Sequence, residues 1–225
     1  MQKTVIITAG GSGKRMGNDI PKQFLLLNNK PILQYSIEAF YNYDPTIQII
    51  LTLPKEWIPF WKDLSLKNQF LLNYEIVEGG KERFYSIKNA LKISKGELIA
   101  IHDGVRPLVS LKIIENTFQQ AFELGSSIPV IQLTDSIRKL NSTSLSNKSK
   151  SVLRKDFVLV QTPQTFKSNI IKHAYDQDFH EGITDDASLV EQLGHKIFMT
   201  EGEIYNIKIT TPLDLKIASF FLDSI

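Results

Sequence analysis

Hydrophobic positions in this chain come in short β-branched runs that alternate with stretches of helical spacing. "TVIIT" near the start is continuous and reads as a buried strand. "PILQYSIEAFYNY" places Ile32, Leu33, Ile37 and Phe40 near helical spacing, with Pro31 suited to a first turn. "IQIILTL" predicts a second strand that stops at Pro54. "KEWIPFWKDL" predicts a helix interrupted by Pro59. "YEIV" predicts a strand, "ERFYSIKNAL" a helix and "ELIAIHDG" a fourth strand. "LKIIENTFQQAFEL" predicts a helix closed by Gly125, and "SSIPVIQL" a fifth strand. Alternation of this kind implies right-handed crossovers and an α/β fold, a mostly parallel sheet with helices on both faces. Ligands of such sheets bind beyond the carboxyl ends of the strands.

The rhythm breaks near residue 134. "DSIRKLNSTSLSNKSKSVLRKDFVLVQT" has no helical face, only a polar centre between two strand-like flanks. That pattern fits a long hairpin standing away from the sheet, at about residues 134–160, or a surface loop. Beyond it the pattern predicts a helix around "NIIKHAYDQ" and another opening near "TDDASLVEQL". A strand pair, "KIFMT" and "YNIKIT", and a closing helix from Pro212 complete the chain. There are no repeats and no Gly/Pro-rich linkers, so residues 1–225 read as one domain.

Composition narrows the classes. The chain has 225 residues, 42% hydrophobic and 22% charged, with a net charge of +2. Such a small excess does not mark a nucleic-acid-coating protein, so any anion site is local. The chain has no cysteine, which excludes disulfides, thiolate metal sites and cysteine nucleophiles. The first apolar run is too short for a signal peptide, and no run reaches the roughly 20 residues of a membrane span. A soluble, cytoplasmic protein with no membrane partner is expected.

The chemistry concentrates after the first strand, in "ITAGGSGKRMGNDIPKQF". A phosphate-binding G-x-x-x-x-G-K-[ST] loop fails here twice, because Arg15 follows Lys14 and Thr8 occupies the first glycine position. A dinucleotide G-x-G-x-x-G fingerprint fails at Met16. A flexible glycine turn remains, followed by Arg15 and then by Lys22 behind a stiffening Pro21. Glycines let backbone N–H groups approach phosphate oxygens or a base edge. Two cations returning to one place suit a reaction that accumulates negative charge there.

These residues resemble the G-x-G-x-R…P-K signature of nucleotidyltransferases. More closely, the chain resembles the 2-C-methyl-D-erythritol 4-phosphate cytidylyltransferase family. "EGGKERFYS", "HDGVRP", "QTPQTF", "TDDAS" and "NIKIT" follow the opening segment in the family's order, from residue 9 to residue 210. The resemblance implies a Rossmann-like sheet and a protruding β-hairpin arm that clasps a second subunit. It implies transfer of a cytidylyl group from CTP to a small phosphorylated polyol, with Mg²⁺ held mainly by CTP phosphates and water.

Residue by residue, the resemblance casts Arg15 and Lys22 as the cations at the α-phosphate. Lys208 and Arg154 place the acceptor's phosphate, with Arg154 reaching the partner's site from the arm. Ala9, Gly10, Gly11 and Gly13 form the nucleotide turn, and Gly79, Gly80 and Ser86 the base-reading segment. Lys81 stands where some relatives carry aspartate. Asp103 meets the acceptor's hydroxyls, and Ser136, Thr162 and Thr184 supply further hydroxyls. No protein ligand of a metal is assigned. His102 and Arg106 read as structural, and Asp186 and Ser188 as caps of the following helix. Three other readings stand beside this one: a ribitol-5-phosphate cytidylyltransferase, which shares the loop and a "NIKITTP" ending, an enzyme that transfers a different nucleotide to a sugar phosphate, and a catalytically inactive nucleotide-binding regulator.

Overall fold

The computed structural model describes residues 1–11, 20–140 and 148–224. Strand β1 (Lys3–Thr8) lies near the middle of the main sheet, and its Val5, Ile6 and Ile7 are wholly buried. Burying such side chains contributes about 1.5–3 kcal/mol each, and alternation along the strand divides them between two faces. After β1 come a tight hairpin of β2 (Leu26–Leu27) and β3 (Lys30–Pro31), then α1 (Ile32–Tyr43) and β4 (Gln48–Leu53). Helix α2 (Ile58–Lys67), β5 (Glu75–Glu78), α3 (Arg83–Leu91) and β6 (Leu98–Asp103) follow. Then come α4 (Leu111–Leu124), β7 (Ser126–Gln132), β8 (Arg138–Leu140) and β9 (Ser149–Ser151). The chain finishes with β10 (Val158–Val160), β11 (Gln164–Lys167), α5 (Ser168–Ala174), α6 (Asp186–Gln192), β12 (Met199–Glu201) and α7 (Pro212–Leu222).

The main sheet runs β10-β7-β11-β6-β1-β4-β5, with β12 pairing β7. Strands β6, β1, β4 and β5 are mutually parallel. Strand β11 is antiparallel to both β6 and β7, between which it is inserted. Val5 and Ile7 face a core shared with Phe40, Trp61 and Phe118, while Ile6 faces Phe84, Phe166 and Val190 on the other side. This is the two-faced α/β sheet that the alternation predicts. The chain leaves β1 for β4 on one side and returns to β6 on the other, so β1 and β6 meet at a topological switch point.

Local chemistry explains most boundaries. Pro59 falls in the first turn of α2, where its missing N–H costs nothing, and a separate 3₁₀ turn at Lys55–Trp57 precedes it. Helix α4 starts where the Ser110 hydroxyl accepts the N–H of Ile113 and stops at Gly125, whose φ of 99° only glycine adopts freely. Asn28 and Asn29, both at positive φ, turn the β2–β3 hairpin, which the periodicity did not announce.

Three expectations change. "YNIKIT" is not a strand: its backbone groups bond to side chains and to a neighbouring loop, with Ile209 N–H donating to Val105 C=O. "KIFMT" therefore has no partner there, and β12 pairs β7 in parallel. Strands β8 and β9 do form an antiparallel hairpin separate from the main sheet, but the "FVLV" flank returns to that sheet as β10.

Candidate active site

A cavity of about 340 Å³ opens beyond the carboxyl ends of β1, β4 and β6, beside the turn after β5. Thr8, Ala9, Gly10 and Gly11 form one wall, with Lys22, Gln23 and Thr52 beside them. Gly80, Lys81, Glu82, Arg83 and Ser86 form a second wall, and Asp103, Val105 and Lys208 a third. Among the described lining residues four are cations (Lys22, Lys81, Arg83, Lys208) and two are carboxylates (Glu82, Asp103), a balance that favours an anion.

Lys22 opens a 3₁₀ turn immediately after Pro21 and is largely buried against the cavity. Its neighbour Gln23 donates from Nε2 to the Ala9 carbonyl at 2.7 Å, tying this turn to the end of β1. Gly80 N–H donates to the Ser86 hydroxyl at 3.0 Å, and a Cβ on Gly80 would stand 2.3 Å from that of Tyr85. Only glycine lets the chain pass that close to α3. Gly79 lies just behind, outside the lining.

Asp103 ends β6 and is the electrostatic centre of the third wall. Its Oδ2 receives Lys208 Nζ at 2.9 Å and faces Arg106 Nε at 3.5 Å, while Oδ1 faces Arg83 Nε at 3.9 Å. Burial alone would raise the Asp103 pKa. Arg83 first, then Lys208 and Arg106, outweigh it and hold the carboxyl well below the usual range. Lys208 is carried by an irregular segment anchored by side chains. Arg106 Nη1 donates to the Asn206 carbonyl at 2.7 Å, and buried Asn206 donates to the Thr162 carbonyl at 2.9 Å.

His102 points away from the cavity. Its Nε2 lies 3.2 Å from the Arg106 carbonyl and its Nδ1 3.1 Å from the Thr162 hydroxyl. Burial lowers its pKa to about 4, so it is neutral at physiological pH. Neither His102 nor Arg106 lines the cavity, and both are engaged by the protein's own groups.

Of the residues that the sequence nominates, Ala9, Gly10, Gly11, Lys22, Gly80, Ser86, Asp103 and Lys208 meet around one cavity. Arg15 and Gly13 lie outside the described residues. Thr162 is buried one layer back, where its hydroxyl accepts the Asp103 N–H at 3.0 Å. Thr184, Ser136 and Arg154 are not among the residues that line this cavity; Ser136 and Arg154 are exposed and Thr184 is half-buried, with Arg154 Nη1 donating to the Thr134 carbonyl. One helix cap is corrected. Asp185, not Asp186, caps α6, in a reciprocal pair with Ser188. Asp186 is fully buried and binds Arg83 at 2.8 and 2.7 Å. Sequence reasoning misses Arg83 although it ends the GG-x-x-R block. The signal is present, a charged residue opening a helix three residues after Gly80, but its carboxylate partner lies in a different block.

A glycine-walled cavity rich in cations, at the switch point of a Rossmann-like sheet, defines a protein of the nucleotide-handling α/β class. A family model described as IspD: 2-C-methyl-D-erythritol 4-phosphate cytidylyltransferase matches residues 3–224. The chain belongs to this family and is an enzyme of the cytidylyltransferase class. The 2-C-methyl-D-erythritol 4-phosphate cytidylyltransferase of Phocaeicola vulgatus is 46% identical, over 99% of this chain and 100% of the relative. The 4-diphosphocytidyl-2C-methyl-D-erythritol synthase structure from Anaerococcus prevotii matches with a TM-score of 0.82 at 26% identity, over 99% of this chain and 98% of that one. The bifunctional IspDF of Campylobacter jejuni matches with a TM-score of 0.80 at 29% identity over 96% of this chain, which spans 54% of that longer protein. Among the described residues no helix is long and apolar enough to cross a membrane.

Proposed function

We propose that the enzyme transfers a cytidylyl group from CTP to 2-C-methyl-D-erythritol 4-phosphate, releasing pyrophosphate, in the non-mevalonate route to isoprenoids. One observation carries the reading: Lys22 and Lys208, far apart in the chain, line the same cavity as Gly10, Gly11 and Asp103. CTP is a cytoplasmic metabolite, so the reading puts the enzyme in the cytoplasm.

In this reaction an oxygen of the acceptor's phosphate bonds to the α-phosphorus of CTP. The bond from that phosphorus to the β-phosphate oxygen breaks, and pyrophosphate leaves in line. Two polyanions are brought together, so the barrier is chiefly electrostatic. Lys22 and Arg15 stabilise the charge that accumulates at the α-phosphate. Lys208 keeps donors beyond the one facing Asp103 and, with Arg154 from a partner's arm, holds the acceptor's phosphate. Asp103 orients Lys208 and accepts hydrogen bonds from the acceptor's hydroxyls. The attacking phosphate is already ionised, so no general base is required, and neutral, fully engaged His102 is not called upon. Gly80 and Ser86 leave room for the base edge.

Mg²⁺ is proposed to ride on the CTP phosphates, where it neutralises charge on the leaving group. The donor set suits that role. The described cavity wall offers only Asp103 and Glu82 as carboxylates, and Asp103 is already engaged by Lys208.

The decisive measurement is pyrophosphate release with each of the four nucleoside triphosphates, Mg²⁺, and either methylerythritol phosphate or ribitol phosphate. Turnover is expected with CTP alone and with strong preference for methylerythritol phosphate. Preference for ribitol phosphate would replace the acceptor, and no turnover with any pair would favour the inactive regulator.

A further inference from the structure

We propose that Arg83 is a positioning residue for the acceptor half of the site, holding Asp103, and through it Lys208, in the geometry that receives the acceptor's phosphate. The inference rests on the cytidylyl-transfer reading and adds a residue to it.

Arg83 opens α3, three residues after the Gly80 turn, and lines the cavity. Its guanidinium is fixed from behind: Nη1 and Nη2 donate to the two oxygens of Asp186 at 2.8 and 2.7 Å. Asp186 is fully buried and also accepts the Tyr175 hydroxyl, so this carboxylate has no freedom to follow the arginine elsewhere. A bidentate pair of planar groups sets direction as well as distance. With both terminal nitrogens held by Asp186, Nε lies 3.9 Å from Asp103 Oδ1, within ion-pair distance.

Asp103 is thereby gripped from opposite sides. Arg83 stands at Oδ1, while Lys208 and Arg106 stand at Oδ2. Arg83 acts with Lys208 and Arg106 to keep this buried carboxyl ionised. Without it, Asp103 is free to rotate toward Arg106, and Lys208 loses the anchor that offsets its charge while the cavity is empty. Helix α6 enters the site by this route although none of its residues lines the cavity.

The test compares wild type with Arg83→Met/Asp186→Asn and with Arg83→Lys. The double variant removes both charges, so no buried ion is stranded, and the introduced amide still offers an acceptor to the Tyr175 hydroxyl. Thermal unfolding and separate KM values for CTP and for the acceptor are measured by pyrophosphate release. The double variant should fold, raise the acceptor KM about tenfold or more, equivalent to ~1.4 kcal/mol, and leave the CTP KM within about twofold. Arg83→Lys, which keeps charge but not the fork, should fall between the two. An unchanged acceptor KM, or CTP and acceptor constants that move together, overturns the role of Arg83 where the wild type turns over in the same assay. A silent wild type overturns this inference and the underlying reading together.

Discussion

His102 and Asp103 are adjacent in sequence yet serve opposite ends. The carboxylate enters the cavity, while the imidazole is buried against the Phe40 ring, 5.2 Å between centroids, and bonded on both nitrogens. Burial takes His102 from its ordinary 6.5 to about 4. Between those values the unfolded chain binds a proton that the folded one refuses. Stability is therefore complete above pH 6.5 and declines as pH falls toward 4, by about 3 kcal/mol for this residue alone. Asp103 has the same sign at lower pH. Its folded carboxyl stays ionised where the unfolded one protonates, so the decline continues through the carboxylate range. Urea unfolding at pH 7, 5.5 and 4.5 reads this out. The wild type should lose clearly more stability over that span than His102→Gln, whereas parallel profiles would mean that the folded imidazole takes up a proton freely.

Turns rather than strands or helices carry most of the site. Four strand ends of the parallel sheet deliver the backbone, and short segments then set the side chains: the Pro21 turn for Lys22, the Gly79-Gly80 turn for Ser86, the irregular stretch around Asn206 for Lys208. Gly80 is the tightest of these. Alanine there must push the turn away from Tyr85, because the new methyl and the Tyr85 Cβ would otherwise overlap. Gly80→Ala should lower stability by about 1–3 kcal/mol and, on the proposal that this segment meets the base, weaken CTP binding more than acceptor binding. Calorimetric titration with each substrate, beside thermal unfolding, checks both halves. Wild-type CTP affinity in a folded Gly80→Ala protein would remove this turn from base recognition.

Among the described residues, the β8–β9 hairpin and Arg154 beside it contribute nothing to the lining of the chain's own cavity. Arg154 is exposed and does not line that cavity, and among the described residues β8 and β9 pair only with each other. Both facts support the proposal that Arg154 serves a second copy. The test is complementation. Lys22→Ala alone should reduce turnover by ~10²–10³-fold, and Arg154→Ala alone should also be impaired. Mixed chains then form dimers in which one of the two sites combines an intact Lys22 with an intact Arg154. Random pairing makes half the dimers mixed, so about a quarter of wild-type activity should return. Recovery no greater than the sum of the two inactive proteins would show that each chain completes its own site.

Much of this was legible in the chain itself. β-Branched runs and helical spacing gave the α/β alternation, because burial on two faces leaves a periodic record in the order of residues. The opening glycines, Lys22, Asp103 and Lys208 were readable because their blocks follow strand ends or match a family signature. Four features left no local record: β11 slipping antiparallel between β6 and β7, the "NIKIT" segment held by Arg106 and Asn206 instead of a ladder, Asp186 turned inward, and Arg83 joined to it. Each depends on a partner 100 or more residues away or on a neighbour chosen by sheet packing. Periodicity reports which face a residue buries, but the charge waiting on the other side of that face is known only once the chain has closed.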